Sequence, residues 1–129
     1  MKRVVDSRGW LHVFKGDALA DDYRRLIEDK RARILVPVIA LYEVAKVLER
    51  DIDEATAMAC VLRMQRETVV DMTEQLALDA AGISLAHGLA MADAVIYATA
   101  REHEAELFTS DADLQGLPGV TFLAPAGRG

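Results

Sequence analysis

The chain has 129 residues, of which 52% are hydrophobic, 28% charged and only 5% aromatic, with a formal net charge of −6. This suits one domain over residues 1–129 with a core of Ala, Val, Leu, Ile and Met, and argues against the broad, non-specific nucleic-acid binding that depends on neutralising phosphates. Cys60, the only cysteine, excludes an internal disulfide and a cysteine-rich zinc site and fits a reducing cytoplasm.

In chain order, Arg3-Val4-Val5 predicts a first strand and residues 7–14 a short helix. Residues 17–30 predict a helix with Asp17 placed to cap it. Ile34-Leu35-Val36, closed by Pro37, predicts a second strand. Two helices follow, over residues 38–50 and 53–66, the latter capped by Asp53. Thr68-Val69-Val70 predicts a third strand. Asp71 as N-cap, with Glu74 three residues on, opens a helix that Gly88 stops. A helix over 92–102, a fourth strand over 106–109 and a short fifth strand over 120–122 complete the pattern. The opening residues hold no apolar run suited to a signal peptide, and no stretch reaches the ~18 apolar residues of a membrane span. A soluble, cytoplasmic protein without membrane partners is expected.

Strands alternating with helices imply right-handed crossovers and a mainly parallel sheet of about five short strands, covered by helices on both faces: a three-layer α/β/α fold. Ligands of such sheets bind outside the carboxyl ends of the strands. Asp6 follows the first strand and Asp111 the fourth, both at carboxyl ends. Glu43 lies in the first turns of the helix after the second strand, and Asp93 near the start of the helix before the fourth; both sit in apolar runs. Each acid also has a plainer reading: Asp6 as a helix cap, Asp93 as a dipole partner, Asp111 as a turn residue. Glu43 resists one, because a solvated helix face would carry more polar neighbours. Gathering the four would be unfavourable without a cation, and Mg²⁺ or Mn²⁺ prefers such oxygen ligands.

These segments resemble the signature of PIN-domain ribonucleases, in the order and spacing of VapC-type toxins. Val4-Val5-Asp6-Ser7 resembles the opening strand with its acid and hydroxyl; Tyr42-Glu43-Val44 resembles the second acid on its helix; Ala92-Asp93-Ala94-Val95 resembles the start of the Ala-rich helix; and Thr109-Ser110-Asp111-Ala112-Asp113 resembles the end of the last functional strand. The resemblance implies that Asp6, Glu43, Asp93 and Asp111 are catalytic and bind Mg²⁺ or Mn²⁺. It further implies that Thr109 orients a carboxylate or water, that Asp113 assists a second metal, and that the protein is a homodimer with a cognate antitoxin. Ser7 is a supporting hydroxyl. Arg8-Gly9-Trp10 and Leu114 depart from residues common in the family, which bears on substrate choice.

Lys46, one turn beyond Glu43, is either an ion-pair partner of Glu43 or a cation at the cleft rim. Arg24-Arg25 and Lys30-Arg31-Arg33 are the candidates for a local basic edge. His12, His87 and His103 share no metal-ligand spacing and are expected at the surface or helix ends, and Gly127-Arg128-Gly129 is a tail. Trp10 and Phe14 share a helix face that is core by default and a partner surface if exposed. The prediction is an endoribonuclease toxin hydrolysing RNA phosphodiesters with water as nucleophile. The alternatives are a non-catalytic PIN-fold interaction module and an α/β phosphotransfer or receiver-type domain. A phosphotransfer enzyme of the haloacid-dehalogenase kind would need an acid where Arg8 stands. A receiver would need paired acids at the first strand and a lysine after the last.

Overall fold

The computed structural model describes residues 1–125, so the 127–129 tail lies outside the described residues. The strands are β1 (Lys2–Val5), β2 (Arg33–Pro37), β3 (Thr68–Val70), β4 (Glu106–Thr109) and β5 (Val120–Phe122). The helices are α1 (Ser7–Lys15), α2 (Ala20–Glu28), α3 (Val38–Asp51), α4 (Glu54–Met64), α5 (Glu74–His87) and α6 (Met91–Glu102). The strand order is β3-β2-β1-β4-β5, and every pairing is parallel rather than mainly so.

Side-chain alternation along the strands divides the core in two. Val5, Ile34 and Val36 face Trp10, Tyr23, Val44, Leu48 and Met64 of α1–α4. Val4, Leu35 and Leu107 face Leu76 and Ala80 of α5 and the run 94–98 of α6. The result is three layers, α/β/α. From Ala94 to Ala100 every residue of α6 is buried, and its four alanines let the helix lie close against strands and neighbouring helices. Gly9 does the same for α1: a Cβ there would strike Val5 Cγ1 and come within 2.6 Å of Tyr23 Cε1. Each large apolar side chain fully buried here contributes about 1.5–3 kcal/mol of transfer free energy.

Caps set most helix boundaries, with two differences from expectation. Asp53 caps α4 through the Thr56 N–H at 2.7 Å, and Gly88, at φ 66°, ends α5. The α5 cap is Thr73, which accepts from Leu76 N–H at 3.1 Å, not Asp71. Helix α2 begins at Ala20, three residues after Asp17, whose carboxylate faces the Leu19 N–H and His12 Nδ1 instead. Trp10 is 1% exposed and stacks on Phe14, so it belongs to the core and not to a partner surface. No single helix among the described residues is long and apolar enough to cross a membrane.

Strand β1 lies between β2 and β4. From β1 the chain adds strands on one side through β3, then returns to add β4 and β5 on the other. The carboxyl ends of β1 and β4 are thus adjacent where the winding reverses, and a crevice forms there.

Candidate active site

Asp6 leaves β1 and caps α1. Its Oδ1 accepts the Gly9 N–H at 2.9 Å and its Oδ2 the Thr109 hydroxyl at 2.5 Å. Thr109 closes β4 and is fully buried; its Oγ1 also accepts the Asp111 N–H at 2.9 Å. One threonine therefore ties the two adjacent strand ends together. Asp111 in turn accepts the Asp113 N–H at 3.0 Å, opening a single 3-10 turn over Ala112–Leu114. Across the crevice, Ser7 donates to Glu43 Oε1 at 2.5 Å, fixing the rotamer of an acid reached from α3. Asp93 enters from the first turn of α6.

Asp6, Ser7, Glu43, Asp93 and Asp111 line one cavity of about 340 Å³, with Leu11, Val47, Ala90 and Ala92 as its apolar wall. Asp6 is 2% and Asp111 7% exposed. Burial pushes the Asp6 carboxyl above its ordinary range, against the Thr109 and Gly9 hydrogen bonds that favour the anion. Burial raises Asp93 to about 7, and the charges of Asp111, Glu43 and Asp6 push the same way. Asp93, Asp111 and Asp113 present carboxylate oxygens that all lie within 4.8 Å of one another. This all-oxygen, anion-crowded set suits a hard divalent cation, whose charge offsets the repulsion. Among the described residues no basic side chain fills that role: Arg8 Nη2 stays 3.8 Å from Asp111 and its side chain is 65% exposed.

Of the other residues singled out in the sequence, Thr109 lies directly beneath the cavity and Asp113 stands exposed at its edge. Lys46 does neither. It lies over the Tyr42 ring at 5.7 Å, in a separate surface depression with Glu49 and Arg50, while Ser7 takes the hydrogen bond of Glu43. The expected basic edge is also elsewhere. Arg24 pairs with Asp21 and Arg25 with Asp22, each at 2.6 Å. Arg31 pairs with Asp29 just before β2, and Arg33 opens that strand, at the amino pole of the sheet.

Sequence reasoning noted Arg8 only as a departure bearing on substrate choice and did not place it in the site. Its signal was available: a residue two positions after a helix-capping acid occupies the first turn, beside that acid. His12 is more than a surface residue, since its Nε2 faces Ser110 Oγ at 3.2 Å and its ring stacks on Tyr23. Tyr23 is fully buried, and burial together with the charge of Asp6 pushes its phenol far up, against a counteracting interaction with Ser110.

Many solved structures are similar to this one, three of them as follows. VapC20 of Mycobacterium tuberculosis, described as a sarcin-ricin loop cleaving toxin, superposes with TM-score 0.78 at 22% identity, over 95% of this chain and 99% of that one. A toxin-antitoxin complex from Klebsiella pneumoniae gives TM-score 0.77 at 21% identity, over 92% and 95% of the two chains. VapBC2 from Rickettsia felis, bound to a DNA fragment from its promoter, gives 0.76 at 14% identity, over 95% and 98%. No curated protein matches the sequence significantly. Residues 3–120 match the PIN domain, and over that span, nearly the whole described chain, the protein belongs to the PIN-domain family.

Proposed function

We propose that the protein is a Mg²⁺- or Mn²⁺-dependent endoribonuclease that hydrolyses RNA phosphodiesters and acts as the toxin of a toxin–antitoxin pair. The observation that carries this reading is the convergence of Asp6, Glu43, Asp93 and Asp111 on one cavity at the switch point of the sheet. A non-catalytic module has no use for such a cluster, which destabilises the fold when all its members are ionised. A receiver or phosphotransfer domain is disfavoured because the cavity holds neither a lysine nor an acid at position 8.

Bound Mg²⁺ or Mn²⁺ would supply the charge that meets a phosphodiester's oxygens and would activate water for in-line attack. Asp6, Glu43, Asp93 and Asp111 would hold the cation, with Asp113 serving a second. The chain's own part is positioning. Thr109 and Gly9 lock both oxygens of Asp6, and Ser7 locks one oxygen of Glu43. One of the ligating carboxylates would also orient the water, and Asp93, beside Asp111, has neither oxygen locked by a threonine, serine or backbone N–H.

Toxin–antitoxin complexes among the similar structures support a cognate antitoxin as partner. A homodimer fits the exposed side chains Met72 and Met91, which line an apolar groove of about 360 Å³ together with Ile39, Ala77, Ala81 and Val95. The test of the central reading is cleavage of total bacterial RNA, followed by sequencing of the new 5′ ends. Discrete cuts are expected with Mn²⁺ and none with EDTA or with Asp93→Asn. Cuts that persist under both conditions would overturn it.

A further inference from the structure

An acidic protein that binds RNA needs at least one cation near the scissile phosphate, and the basic groups expected to provide it are elsewhere. Arg24 and Arg25 each donate to a carboxylate at 2.6 Å, Arg31 is held by Asp29, and Lys46 lies over Tyr42. Arg8 differs from all of these. Among the described residues it is the one basic side chain lining the acidic cavity. Its guanidinium makes no hydrogen bond among those residues, and its nearest carboxylate oxygen, on Asp111, is 3.8 Å away. An exposed pair at that distance is worth little and is easily exchanged for another anion. The backbone beneath it is rigid: Asp6 caps the helix turn that carries Arg8, and Gly9 seats that turn against Val5 and Tyr23.

Resting on the nuclease reading above, we propose that Arg8 is the substrate-positioning residue of this site. It takes up an RNA phosphate next to the scissile one and, while RNA is absent, shields Asp111. Two chemical facts converge here. A guanidinium forms two parallel hydrogen bonds to a phosphate, a geometry that its loose contact with Asp111 does not provide. A cation entering between Asp93, Asp111 and Asp113 also neutralises the charge that holds Arg8, so metal and phosphate loading favour the same rearrangement. The same positive charge opposes metal binding when RNA is absent. Removing Arg8 therefore has opposite consequences for the two ligands.

The experiment compares wild type, Arg8→Gln, Arg8→Lys and, as a control at the amino pole, Arg31→Gln. Mn²⁺ affinity is read by calorimetry without RNA, and steady-state cleavage is read on a labelled RNA spanning a mapped cut. Arg8→Gln is expected to bind Mn²⁺ about threefold tighter yet raise KM about tenfold, with kcat changed less than about threefold. Arg8→Lys should keep most of the metal effect and recover part of the KM. Arg31→Gln should match wild type in both. An unchanged KM, or a loss confined to kcat, in Arg8→Gln would overturn the assignment while wild-type cleavage still upheld the nuclease. An inactive wild type with normal Mn²⁺ binding would instead overturn the nuclease reading on which it rests.

Discussion

The two poles of the sheet handle charge in opposite ways. At the amino pole, Asp29 is gripped by Arg31 through its side chain and backbone N–H, with Arg3 close by, and its carboxyl is driven well below the ordinary range. At the carboxyl pole, Asp93 faces Asp111, Glu43 and Asp6, with the exposed Arg8 the one cation approaching the cluster among the described residues, and is raised to about 7. Paired acids at one end favour the folded chain by themselves; unpaired acids at the other favour it only when something else neutralises them. Under the proposed function, that contrast separates structural charge from charge kept for a ligand.

The largest expected effect breaks the carboxyl pole. Asp6→Asn or Asp93→Asn should lower RNA cleavage by at least about a thousandfold and relieve growth arrest in cells lacking the antitoxin. Asp29→Asn should leave both unchanged. Growth assays on the three variants, with expression checked, decide this. Equal loss from the two poles would erase the distinction drawn between them.

Next comes the scaffold under the site. Gly9→Ala forces a methyl group into Val5 and Tyr23 and should cost about 2–3 kcal/mol, measured by urea unfolding. Because α1 also carries the Asp6 cap, cleavage should fall with stability rather than independently of it.

A smaller effect sharpens the comparison by pH. Asp93 titrates near 7 in the folded protein and near 4 when unfolded, so unfolding releases its proton between those values. Its contribution is complete below about pH 4 and is lost as pH rises through about 7. Metal-free protein should therefore lose Tm across that interval, by about 4 °C for each 1 kcal/mol. Asp93→Asn should flatten this slope, and added Mn²⁺ should raise Tm more at pH 8 than at pH 6. An identical slope in Asp93→Asn would show that other groups carry it. The smallest effect lies at the opposite pole: Asp29→Asn should lower Tm barely measurably at neutral pH, and the difference should fade only in strong acid, as pH falls through the depressed range of the wild-type carboxyl.

The four acids were legible because each stands in an apolar run or at a strand end, where a charge is costly without a purpose. The misplaced basic edge was legible too, and overlooked. Asp21 and Asp22 stand three residues before Arg24 and Arg25, a spacing that pairs them on one helix face. Lys46 was misassigned because helix spacing allowed it either Glu43 or Tyr42. Ser7, thirty-six residues away from Glu43, had the shorter reach to that acid.

By itself the sequence determined the elements, their alternation and hence a parallel, three-layer fold. Periodicity, caps and Gly88 act through near neighbours, and the right-handed crossover leaves few ways to connect them. Only the tertiary structure decided which strand ends meet, how Thr109 links Asp6 to Asp111, and that Arg8, alone among the arginines of the described residues, lines the acidic cavity. Those facts depend on strand order and on contacts between residues about a hundred positions apart, for which local periodicity carries no signal.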